Sequence, residues 1–182
     1  MRPKTIGLIA HTGKPAVADL VNAIAQEFDR FSISILIEKE TAAIAGKKSD
    51  HSIAQLGAAA DLLVVVGGDG TILHVVGQLD EIIKPIFGIN VGSLGFLTCA
   101  NSSAYHDAVE CIAKDRINFS QRTLLEARVE VGGKRTNKMT ALNDAVLSRG
   151  ELSRLVLLRT RVNGEALTEF NADGLIVATP TG

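Results

Sequence analysis

The chain has no tryptophan, and aromatic residues make up only 4% of its 182 residues. That scarcity argues against stacking platforms for single-stranded nucleic acid. An excess of charge of one sign is missing too, since the formal net charge is −1. No basic surface announces nucleic acid or an anionic membrane. The two cysteines, Cys99 and Cys111, form no CxxC pair. They propose neither a zinc site nor a disulfide framework, and they read as thiols of a reducing cytosol. The apolar run in "MRPKTIGLIAHTGKP" is too short for the core of a signal peptide. No stretch approaches the length of a membrane span. A cytoplasmic protein without membrane or nucleic-acid partners is expected. The remaining composition, 46% apolar and 21% charged, is that of a globular chain.

Short β-like runs alternate with helical patterns over the first two-thirds. Residues 5–10, 33–38, 62–66 and 86–90 read as strands. "LLVVV" is continuous, apolar and β-branched, the pattern of a strand buried on both faces of a parallel sheet. Pro15 opens a helix whose face is marked by Val17, Leu20, Val21, Ile24 and Phe28. "SDHSIAQLGAAAD" reads as a further helix or irregular segment, capped by Ser49 or Asp50. "TILHVVGQL" reads as a helix, and residues 102–114 as a helix with a serine cap. This alternation implies a doubly wound, Rossmann-like α/β domain over 1–120. Beyond it no helical period is evident. Gly132-Gly133 and Asn163-Gly164 are two-residue hairpin signals, so residues 121–182 read as the beginning of a β-rich domain. The apolar run 174–178 meets a Pro-Thr-Gly turn, and an edge left there would lack partners. A piece of a longer protein is expected.

Several familiar chemistries are missing. "HTGKP" lacks P-loop spacing, with Pro15 where a magnesium-binding hydroxyl belongs. No GxGxxG follows the first strand, no GxSxG occurs, and His11, His51, His74 and His106 have no metal-ligand spacing. "GGDGT" is what remains. Its glycines, after a buried strand and before a helix, let the backbone approach a ligand closely. The helix start adds free N–H groups and a positive dipole end. Gly67, Gly68, Gly70 and Thr71 are candidate phosphate ligands, although a simple helix cap would use the same residue types. Asp69 then has a chemical task. A carboxylate beside donor phosphates can orient an acceptor hydroxyl and take its proton. Magnesium would offset the repulsion between the two anions. "GINVGSLGFLT" (88–98) is a second glycine-rich turn after the next strand. Its Phe96 can pack on a base, or can belong to the core. Asn143 and Asp144 can clasp a ribose or an adenine edge, or form an Asx turn. Asp173-Gly174, Thr179 and Thr181 repeat the theme.

"GGDGT", "GINVGSLGFLT", "LNDAVLSR" and "ADGLIVATPTG" together resemble the NAD kinase family, in its order and at its approximate spacings. GGDGT alone is shared with diacylglycerol and sphingosine lipid kinases. The second glycine-rich segment discriminates best. The resemblance implies an N-terminal α/β domain, a β-rich C-terminal domain and a homo-oligomer, a dimer or tetramer. It implies transfer of the γ-phosphoryl group of ATP, or of polyphosphate, to the 2′-hydroxyl of the adenosine ribose of NAD, with a divalent ion such as Mg²⁺. It makes Asp69 the proton acceptor and places Asp69, Gly70, His74, Phe96, Asn143, Asp144, Arg154, Asn171 and Asp173 at NAD contacts. In that picture Asn143, Asp144 and Asp173 jointly present the ribose hydroxyl. In the family, TPTG continues into Ser-Thr-Ala-Tyr and further strands. A truncated, non-catalytic nucleotide-binding module and a lipid kinase of the diacylglycerol type are the alternatives.

Overall fold

The computed structural model describes residues 2–13, 16–79, 81–93, 95–135, 138–150 and 154–182. The chain divides into two compact units, Met1–Gln121 and Arg122–Gly182.

In the first unit the order is β1 (Thr5–Ala10), α1 (Ala16–Arg30), β2 (Ser34–Ile37), α2 (Lys39–Ile44), α3 (Ile53–Ala59), β3 (Leu62–Val66), α4 (Asp69–Leu79), β4 (Ile86–Asn90), β5 (Ala100–Asn101) and α5 (Tyr105–Ala113). The five strands form one parallel sheet in the order β2-β1-β3-β4-β5. All five residues of β3 are buried, as a strand covered on both faces must be. Side chains alternate between the faces. Ile6, Leu8, Val64 and Ile89 share a core with Val17, Val21, Ile24 and Phe28 of α1 and with Val109 and Ile112 of α5. α1 packs against α5, while α3 packs against α4. Pro15, expected in the first turn of α1, lies outside the described residues.

Three local expectations are corrected. The cap of α3 is Ser52, not Ser49 or Asp50: its side chain accepts from Gln55 N–H while Gln55 reaches back, a full capping box. Ser49 instead donates to the Ile37 carbonyl. The serine cap at 102 is absent as well. Ser102–Ala104 form a 3₁₀ turn after Asn101, with no side-chain cap bond, and α5 begins at Tyr105. The helix after β3 starts at Asp69 rather than Thr71. α2 was not foreseen. It is a six-residue helix capped by the carboxylate of Glu38, which accepts from Thr41 N–H.

The second unit contains β6 (Leu125–Ala127), β7 (Glu130–Val131), β8 (Lys134–Arg135), β9 (Met139–Ala141), β10 (Asp144–Ser148), β11 (Val156–Val162), β12 (Glu165–Ala172) and β13 (Gly174–Ala178). They pair antiparallel as β6–β9, β7–β8, β10–β13 and β11–β12. Asn163 and Gly164 have φ of 54° and 88°, the left-handed conformations of a type I′ hairpin turn. Among the described residues of this unit only Leu142 and Thr179 are buried.

The entry to β1 carries a pH-dependent tie. The Asp61 carboxylate accepts from Lys4 N–H at 2.7 Å and Thr5 N–H at 3.0 Å. The two backbone bonds, Lys4 first, hold its pKa below the ordinary value. A depressed carboxylate stabilises the fold above its unfolded pKa, about 3.9, and that contribution fades as pH falls through the folded value. Asp61→Asn is therefore expected to lower the denaturation midpoint at neutral pH. The gap to wild type should close below about pH 4, measured by urea titration across pH.

Candidate functional site

β3 ends at Val66 and the chain turns through Gly67 and Gly68 into α4. Gly67 N–H donates to the Ile89 carbonyl of β4 at 2.9 Å, so the turn leaves directly from the sheet. A Cβ on Gly67 would strike the Thr71 hydroxyl. Among the described residues a Cβ on Gly68 or Gly70 would meet nothing within 4 Å. Those two glycines are not required by protein packing, and neither has positive φ. Their open faces suit a ligand approaching the backbone, beside the first N–H groups of α4, of which Thr71 N–H already donates to the Gly68 carbonyl at 3.0 Å.

Asp69 sits in the first turn of that helix, and its carboxylate is engaged. Oδ2 accepts from Phe96 N–H at 2.8 Å and Oδ1 from Leu97 N–H at 3.0 Å. One side chain thus clasps the second glycine-rich turn with two charge-assisted bonds. Gly95 makes the clasp possible, because a Cβ there would fall on the Asp69 carboxylate. The same turn is braced from inside. Asn90, 3% exposed, donates from Nδ2 to Ser93 O at 2.8 Å and to Thr98 Oγ1 at 3.2 Å. Gly95 N–H donates to the same hydroxyl at 3.3 Å. Leu94 lies outside the described residues. Phe96 is 97% exposed, which removes the core reading and leaves a bare aromatic face.

A cavity of about 920 Å³ opens at the carboxyl ends of β1 to β4. Its walls include His11 and Thr12 after β1, Glu38 after β2, Gly67 and Gly68 after β3, and Asn90 to Ser93 after β4. Strand order reverses between β1 and β3: the chain goes one way to β2 and the other way to β4 and β5. Open α/β sheets bind ligands at such a switch point. Gly70, Thr71 and His74 share this wall, one helical turn apart on one face. His74 is exposed.

In the second unit, "LNDAVLSR" and "ATPTG" are knitted together. Asp144 pairs with Ala178 in the β10–β13 ladder. Thr179 N–H donates to Asn143 O at 2.7 Å, and Thr179 Oγ1 donates to Leu142 O at 2.5 Å. Thr181 N–H returns to Thr179 Oγ1 at 3.1 Å. Asn143 Oδ1 is buried with no hydrogen-bond partner among the described residues. Such an orphan acceptor costs stability until something donates to it. Asp173 lies at the other end of the ladder, where Ser148 pairs with Gly174. Its carboxylate contacts Arg149 Nε at 2.6 Å. Asp173 stands opposite Arg149, so five residue steps of strand, about 17 Å, separate it from Asp144. The expected trio around one ribose hydroxyl is therefore a pair, Asn143 with Asp144, and a separate Asp173. Asn171 is exposed on β12 opposite Leu157, and Arg154 is exposed just ahead of β11.

Residues 6–117 match the model of a family described as the ATP-NAD kinase N-terminal domain. The chain belongs to the NAD kinase family. An NAD kinase of Desulforamulus reducens is 38% identical over 179 residues, spanning 98% of this chain and 62% of the relative. An NAD kinase of Azoarcus is 35% identical over 182 residues, with the same two coverages, 98% and 62%. The chain thus spans about three-fifths of the length of the curated relatives it matches. Yeast NADH kinase complexed with NADH superposes with a TM-score of 0.89, over 100% of this chain and 59% of that one. At 24% identity that likeness shows the fold. An NAD kinase from Archaeoglobus fulgidus in complex with ATP is 25% identical, with a TM-score of 0.65, over 96% and 60% of the two chains. The shared α/β architecture agrees with the fold class expected of this family member.

Sequence reasoning missed the scaffold of the NAD kinase turns: Asn90, Gly95 and Thr98. The one signal was Asn90 itself, a polar residue closing an apolar strand, which burial obliges to bond. The clasp has a direct readout. In wild type the Phe96 and Leu97 amides are expected to exchange slowly with solvent deuterium. In Asp69→Ala they should exchange at least about tenfold faster, the loss of about 1.5 to 3 kcal/mol of bonding to a charged group. Equal rates would show that Asp69 does not hold the turn.

Proposed function

We propose that the protein carrying this chain is an NAD kinase. It transfers the γ-phosphoryl group of ATP, or of polyphosphate, to the 2′-hydroxyl of the adenosine ribose of NAD, giving NADP. The observation that carries this reading is one carboxylate, Asp69, at the head of the anion-binding helix α4 and in contact with the second glycine-rich turn. Complexes of relatives with NADH and with ATP support the two ligands.

The donor's phosphates lie along the open faces of Gly68 and Gly70, with Thr71 and the first N–H groups of α4 as donors. Phosphoryl transfer depends mostly on such positioning and charge neutralisation. Asp69 is within the same turn, so a hydroxyl placed beside those phosphates can bond its carboxylate and yield its proton there. Phe96 offers its exposed ring to an adenine, beside the amide that Asp69 holds. His74 faces the donor cavity from the next turn of α4. Asn143 and Asp144 hold one part of the dinucleotide, and the unsatisfied Asn143 Oδ1 accepts from it. Asp173, with Asn171 and Arg154, meets another part.

Among the described residues no group of three or more His, Cys, Asp or Glu could hold a metal ion. The donor set fits magnesium that arrives with the donor's phosphates, as such ions commonly do. Bound there, it would neutralise charge on the transferring group. Among the described residues no helix is long and apolar enough to cross a membrane. A cytoplasmic homo-oligomer remains part of this proposal. Family membership does not favour the lipid-kinase alternative.

The test is NADP formation by the full-length protein with ATP, magnesium and NAD, read with an NADP-specific dehydrogenase. Asp69→Asn is expected to lower kcat by about 10²- to 10⁴-fold, the range of a general base. Phosphorylation of a lipid or sugar instead of NAD would refute the reading. A variant turning over within twofold of wild type would remove Asp69 from the proton-acceptor role.

A further inference from the structure

The donor cavity carries a group that the kinase reading does not use. Glu38 follows β2 directly and is only 6% exposed. Its Oε2 accepts from Thr41 N–H at 2.8 Å and from Thr41 Oγ1 at 3.0 Å. Thr41 Oγ1 in turn accepts from Ala10 N–H, the last residue of β1, at 2.8 Å. Both bonds to Glu38 fall on Oε2. A carboxylate offers about four acceptor positions, and among the described residues Oε1 has no partner and remains for a ligand on the cavity wall. A buried charge with half its capacity open invites donors.

The position says which donors. β2 and β3 are two strands apart, with β1 between them, so their ends lie about 10 Å apart. The β3 end, with Gly68, Gly70 and Thr71, takes anions. The β2 end presents the Glu38 carboxylate with Lys39 and Glu40 on the same wall, a net negative charge, beside the apolar Ile53 and Ala54. A polyphosphate, anionic along its whole length, suits the first end and is repelled by the second. A nucleoside triphosphate suits both: phosphates at β3, a neutral sugar diol at β2 and the base on the apolar wall. An acid at the end of the second strand, holding ribose hydroxyls, is the arrangement doubly wound nucleotide sites use.

We propose that Glu38 binds the ribose hydroxyls of the phosphoryl donor and thereby selects a nucleoside triphosphate over inorganic polyphosphate. The inference rests on the kinase reading. Its test is the steady-state rate of NADP formation by the full-length protein at saturating NAD, with ATP, 2′,3′-dideoxy-ATP or tripolyphosphate as donor. Wild type should favour ATP over dideoxy-ATP by about 10- to 100-fold in kcat/KM, the range of hydrogen bonds to a charged group. Glu38→Gln keeps an acceptor for Thr41 N–H. It should raise KM for ATP by a similar factor and erase the preference over dideoxy-ATP. Its rate with tripolyphosphate should be unchanged or higher. Glu38→Asp keeps the charge but withdraws the oxygens by one methylene, and it should lose the same preference should Glu38→Gln fold poorly. NADP made equally well from ATP and dideoxy-ATP by wild type would overturn this inference alone. So would either variant keeping the full preference. No NADP from any donor would defeat the kinase reading beneath it.

Discussion

A carboxylate in the first turn of a helix competes with any anionic ligand for the helix N-terminus unless something draws it aside. In this chain two backbone N–H groups do. Phe96 and Leu97 donate to the two oxygens of Asp69, which pins the turn after β4 to the head of the helix after β3. Much else follows from that bond pair. Gly95 must lack a side chain because the carboxylate occupies the space. Phe96 is held by its backbone, so its ring can stand in solvent without packing. The open faces of Gly68 and Gly70 stay clear, because Asp69 is drawn toward the neighbouring turn. An acceptor hydroxyl at Asp69 must share the carboxylate with those amides, and a carboxylate has the spare lone pairs to allow it.

Periodicity carried the α/β unit well. "LLVVV" and "IFGIN" became β3 and β4 with the expected bounds, because continuous burial leaves a strong apolar signal. Val17, Val21, Ile24 and Phe28 formed the buried stripe of α1, because a 3.6-residue period admits one face. Caps were less legible. Ser49, Asp50 and Ser52 are all good capping types, and only Gln55 three residues after Ser52 distinguishes the true one. α2 escaped notice because six residues carry little period. Its cap, Glu38, reads in the sequence as an ordinary charged strand end.

The candidate site is visible in the sequence as residue types, while its pairings are not. GGDGT announces an anion site, but nothing in the string says that Asp69 bonds residues 27 and 28 positions away. Asn143 and Asp173 look like members of one cluster until the β10–β13 register puts them at opposite ends of a ladder. Long-range register is set by pairing across the sheet, which a linear pattern does not encode. The second unit shows the same limit in its packing. Its hairpins form from local turn chemistry, yet Val146, Leu147, Ile176 and Val177 remain exposed. Among the described residues Asn143 Oδ1 stays without a donor.

The central claim is that the donor's phosphates and the acceptor's hydroxyl converge on one turn, with Asp69 between them. A crystal structure of the full-length protein with NAD and a non-hydrolysable ATP analogue tests it most directly. The account predicts the terminal phosphate on the N–H groups of residues 68–70, and the NAD 2′-hydroxyl within hydrogen-bond distance of Asp69. A terminal phosphate bound away from that turn, or a 2′-hydroxyl out of reach of Asp69, would contradict it.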